Sequence, residues 1–140
     1  MNAKLWLRIS AIVSLLLAVG HTLGGRKSWS PNGEHPVLQQ MRDVHFDVMG
    51  VNRSFYDFYM AFGYSLSVAI LMQSILLWQL SGMVATDPAR VRPMIAVITA
   101  AVVASGVIAW RMIFPIPVYF EFTLAVCLVM ALVKTRTGDK

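Results

Sequence analysis

The sequence predicts an all-α integral membrane protein, a four-helix bundle with a short amphipathic surface helix in its first non-cytoplasmic loop. Three observations predict it. The 140 residues are 57% hydrophobic and 14% charged, whereas a soluble domain carries about a quarter charged residues. Four stretches are apolar over the roughly 20 residues that a helix needs to cross a bilayer. The basic residues gather at one end of those stretches. A chain of this length is read as one domain, so 1–140 forms a single transmembrane unit.

The spans are expected at about 5–23, 55–80, 94–114 and 117–133. The first has a competing reading as a signal peptide: Lys4 and Arg8, the core "ISAIVSLLLAV", then Ala18-Val19-Gly20 with cleavage after Gly20. Leu5, Trp6 and Leu7 lengthen the apolar run and Arg8 can snorkel to the interface, which favours a retained span. Segment 24–54 is long for a connector. Its first half, "GGRKSWSPNGEH", reads as a loop with Trp29 as an interfacial anchor. In its second half Val37, Leu38, Met41, Val44, His45 and Val48 share one helical face, predicting the surface helix at about 36–49. "SGMVATDPARVRP" reads as a turn-rich connector, with Pro93 opening the third span and Pro117 the fourth. Only Pro115 and Ile116 then separate the last two spans, which predicts a tight antiparallel hairpin.

Charge sets the expected orientation. Lys4, Arg8, Arg90, Arg92, Lys134, Arg136 and Lys140 flank the spans on one side, against Asp87 and Asp139. On the other side Arg26, Lys27, Arg42, Arg53 and Arg111 are balanced by Glu34, Asp43, Asp47, Asp57 and Glu121. The positive-inside rule makes both termini cytoplasmic and the membrane the inner (plasma) membrane. The net charge of +5 is thus a topology signal, and no nucleic-acid partner is expected. The single cysteine, Cys127, lies inside an apolar run and excludes CxxC redox chemistry. No HxxH, HxxxH or ExxH spacing suggests a metal or haem, no serine has a nucleophile-elbow context, and "HTLGG" leads into no strand–helix unit. No cofactor is expected.

Polar residues concentrate in one slice beneath the outer surface: His21 ending the first span, Asp57 and Tyr59 opening the second, Trp110 and Arg111 near the end of the third, and Tyr119 and Glu121 in the fourth. Intramembrane ionisable groups are costly and usually face the bundle interior. The functional reading makes Glu121 an acid or base, His45 or His21 its partner, and Arg111 the group that orients a ligand head or stabilises negative charge. His21, Asp57, Tyr59, Trp110 and Tyr119 would line the pocket. Each residue also has a plainer role. Arg111 and Glu121 would lock the hairpin as a salt bridge, "SFYD" is a capping-box pattern, and the aromatics suit an interfacial belt. Gly63, Ser67 and Ser74, and Ala96, Ala100 and Ala104, form small-residue stripes for helix packing.

Cytoplasmic termini, a long first outer loop and a tight last hairpin resemble the small four-span proteins of the EXPERA group, which includes sterol isomerase-like proteins, and of the DoxX-like group. The resemblance is one of topology and carries over no site residue. It implies a bundle with a pocket for a sterol-like ligand lined by acidic residues and histidine. The expected function is binding of a hydrophobic small molecule (isoprenoid, sterol-like or quinone), extending to acid–base conversion as a cofactor-independent isomerase or hydrolase. The alternative is a non-catalytic accessory or assembly subunit. Expected partners are the lipid bilayer, the small molecule, and a second copy or a partner membrane subunit.

Overall fold

The structure, a computed structural model, describes residues 2–24 and 33–136; Trp29, Asp139 and Lys140 lie outside them. The elements are α1 (Ala3–Gly24), α2 (Pro36–Asp43), β1 (His45–Val48), β2 (Val51–Ser54), α3 (Phe55–Met83), α4 (Pro88–Met112) and α5 (Pro115–Arg136). The helices α1, α3, α4 and α5 are each long and apolar enough to cross a membrane. The protein is an all-α, multi-pass membrane protein. By its packing the chain divides into two compact units, Met1–Leu17 with Ile70–Lys140, and Ala18–Ala69.

The first unit is a four-helix core. Leu7 of α1, Leu77 of α3, Val91 and Ile95 of α4, and Leu124 and Leu128 of α5 are fully buried in one cluster. Lipid tails are as apolar as leucine, so burial supplies little pull between helices, and close packing and hydrogen bonds must hold them. Serines do this between α1 and α3. The Ser74 hydroxyl donates to the Ala11 carbonyl at 2.8 Å and Ser14 donates to the Ile70 carbonyl at 3.2 Å. The Gln73 amide in turn donates to the Ser14 hydroxyl at 3.2 Å.

Helix α4 starts at Pro88, earlier than the expected 94, and Pro93 lies inside it. Asp87 explains the difference: its carboxylate accepts from the Arg90 N–H at 3.3 Å, and Pro88 supplies a first residue whose missing N–H costs nothing. The turn after α4 is likewise displaced. Ile113 and Phe114 form it, and Pro115 opens α5.

The second unit corrects the surface helix. α2 ends at Asp43, and residues 45–54 form an antiparallel hairpin in which His45 faces Ser54 and Val48 faces Val51. The helical stripe over 36–49 overlaps a strand alternation in "HFDV", and the turn decides between them. Met49 (φ 51°) and Gly50 (φ 80°) both have positive φ, the two-residue geometry whose twist matches paired strands. Asn52 donates across the hairpin to Asp47 at 2.9 Å. On the α3 side, the Phe46 ring lies 4.8 Å from Phe55 and 5.5 Å from Phe58, centroid to centroid.

Candidate functional site

Among the described residues Glu121 is the buried acidic side chain of the core unit, with 9% of its surface exposed. It sits in the second turn of α5 and faces α4 where that helix is thinnest. A Cβ added at Gly106 would come within 3.3 Å of the Glu121 Cβ, so glycine there lets the carboxyl-bearing backbone approach. The Ser105 hydroxyl donates to Glu121 Oε1 at 3.0 Å. Glu121 Oε2 is buried and, among the described residues, has no hydrogen-bond partner. A polar atom left so in an apolar interior costs about 1–3 kcal/mol. The arrangement is a carboxyl with one oxygen held by Ser105 and the other buried without a partner.

Arg111 does not pair with it. Among the described residues the ion pairs are Arg42–Glu34 and Arg90–Asp87. Arg111 is exposed and its guanidinium carbon lies 5.2 Å from the centre of the Trp110 ring, a ring that is itself 68% exposed. Tyr119 is also exposed. All three lie near the turn between α4 and α5, and exposed amphipathic rings of this kind suit a membrane interface. The salt-bridge lock between Arg111 and Glu121 is therefore absent from this geometry. The turn lies at Ile113 and Phe114 instead of Pro115 and Ile116, so the residue opposite Glu121 moves more than one helical turn along α4, from Arg111 to Gly106.

The remaining predicted residues belong to the Ala18–Ala69 unit. His21 Nδ1 lies 3.0 Å from the Ser67 hydroxyl, which is also 3.0 Å from the Thr22 hydroxyl. Ser67 thus ties α1 to α3 here, and His21 has a structural partner. His45 is on β1, exposed, with Nδ1 donating to the Asp43 carbonyl at 3.1 Å. The surface helix expected to carry it on its apolar face ends before it, at Asp43. Asp57 is half of a reciprocal capping box. Its carboxylate accepts from the Ser54 N–H at 2.9 Å while the Ser54 hydroxyl accepts from the Asp57 N–H at 3.1 Å. Tyr59 lies 6.3 Å from Tyr56, ring to ring. Arg42 is held above its ordinary guanidinium value, first by a hydrogen bond with Tyr56 and then by the charge of Glu34.

Sequence reasoning missed Ser105 and Gly106. A serine on an apolar span carries no signal of its own; only the correct centre of the α4–α5 turn would have paired it with Glu121. Among the described residues no group of three or more His, Cys, Asp or Glu side chains could hold a metal ion.

No protein-family model, no curated protein and no solved structure matches the chain.

Proposed function

We propose that this membrane protein binds a lipophilic small molecule between its spans and recognises the polar head through Glu121. The observation that carries the reading is the buried Oε2 atom, unpartnered beside an oxygen that Ser105 holds in place. Such an atom is stabilised by a ligand hydroxyl that donates to the carboxylate, or by a ligand carbonyl that accepts from the protonated acid. Alcohol and quinone heads on isoprenoid or sterol-like bodies meet that requirement. Acid–base conversion is the natural extension, with Glu121 taking or giving the proton. Both termini are assigned to the cytoplasmic side of the inner membrane, on the strength of Lys4, Arg8, Arg90, Arg92 and Lys134.

Native mass spectrometry of the gently extracted protein tests the ligand. A discrete small-molecule adduct is expected on the wild type and should be lost from Glu121→Ala. Ser105→Ala should weaken it while the chain stays folded. A wild type without adduct, or an adduct retained by Glu121→Ala, overturns the reading.

A second reading, an accessory subunit, is favoured by one observation. Ala96, Ala100 and Ala104 lie exposed along α4 at the spacing that lets another helix approach closely. Co-purification of a second membrane chain that Ala100→Leu releases would support it.

A further inference from the structure

A groove of about 640 Å³ opens on the core unit between the first turns of α4 and the last turns of α5, lined by Ala89, Arg92, Pro93 and Ala96 on one side and Val129, Leu132 and Val133 on the other. Its size lies within the roughly 300–1,000 Å³ of small-molecule sites. Three features say what fits it. The walls are apolar and shallow on the α4 side, because alanine and proline stand where longer side chains would fill the space. Arg92 is the charged residue of the lining among the described residues. It is partly buried and, among the described residues, has no acidic partner, since the neighbouring Arg90 takes Asp87 at 3.3 Å. Finally, Pro93 has no N–H, so the Ala89 carbonyl loses its usual helical donor at the groove's edge.

Depth agrees with chemistry. Arg92 lies one turn into a spanning helix, about 6 Å from its start, and Ala96 about one turn deeper. A cation at that level meets lipid phosphates, and an apolar channel below it meets acyl chains. We propose that this groove is a binding site for one anionic phospholipid of the phosphatidylglycerol type. Arg92 holds the phosphate, an acyl chain lies along Ala96, Val129 and Val133, and a headgroup hydroxyl donates to the Ala89 carbonyl. A choline headgroup would bring a second cation beside Arg92 and has no donor for Ala89. The site is independent of Glu121.

The test uses the full chain in vesicles of equimolar phosphatidylglycerol and phosphatidylcholine, extracted in mild detergent and weighed by native mass spectrometry with bound lipid. One retained phosphatidylglycerol is expected on the wild type. Arg92→Gln should lower its retention about tenfold, the scale of one lost charge-assisted hydrogen bond. Ala96→Phe should displace the lipid by filling the channel without changing charge, which keeps the proposal testable should Arg92→Gln fail to fold. Arg90→Gln and Glu121→Gln should retain the lipid. Equal retention of phosphatidylcholine, or undiminished phosphatidylglycerol on Arg92→Gln or Ala96→Phe, overturns the proposal. Loss from Arg90→Gln equal to that from Arg92→Gln would also overturn it, by showing only a diffuse surface charge.

Discussion

The Ser105 hydroxyl is the donor that the Glu121 carboxyl has among the described residues, and that makes it the sharpest point at which to perturb the core. Ser105→Ala leaves both carboxyl oxygens without a protein donor and is expected to lower stability by about 1 kcal/mol. Thermal unfolding in detergent checks this. Gly106 gives the complementary experiment. Its replacement by alanine gains about 1 kcal/mol of helix propensity but presses a methyl against Glu121 at 3.3 Å, and the room Glu121 has to shift sets the sign. Gly106→Leu has no such compensation and should cost about 1–3 kcal/mol through overpacking, read as a lower melting temperature. Neither residue could be found from composition. Glu121 was legible as an intramembrane charge because carboxylates are rare there, whereas serine and glycine are ordinary in membrane helices and acquire meaning only from what faces them.

At the scale of elements, the junction of hairpin and α3 is the most closely specified piece of the second unit. Ser54 pairs with His45 across the strands and caps α3 through Asp57. Ser54→Ala removes the cap and is expected to cost about 1 kcal/mol, with faster amide hydrogen exchange confined to the first turn of α3. That capping box was legible because its two residues are three apart and the bonds are local. The hairpin beside it was not. Its turn is Met-Gly where Asn-Gly would have announced the geometry, and Met49 there is 100% exposed. With that signal missing, an apolar spacing that suits a helix outweighed the alternation of "HFDV". The start of α4 failed for a related reason. Two prolines were available as openers, and the decisive residue was the acidic cap in front of the first.

Across the whole molecule, the four spans were legible because the requirement is crude: enough consecutive apolar residues to match a bilayer. Packing partners were not, since apolar length says nothing about which face meets which helix. The proposed orientation makes a prediction at this scale. In a Cys127→Ala background, Arg53→Cys should react with a membrane-impermeant thiol reagent added outside intact cells. Ala85→Cys, in the turn between α3 and α4, should react only after the membrane is opened. Reversed labelling would place the termini outside.

The serine bonds between α1 and α3 carry a consequence for how such a chain can diverge. Ser14 and Ser74 donate to carbonyls of Ile70 and Ala11, so each contact depends on a side chain from one helix and only main chain from the other. The acceptor positions are free to drift among residues of suitable size, while the donors are not. Chains built this way can keep one architecture while sharing few letters, and a saturation mutagenesis map of the seam would be lopsided, selective for the hydroxyl at the serines and for size alone at the buried Ala11 opposite.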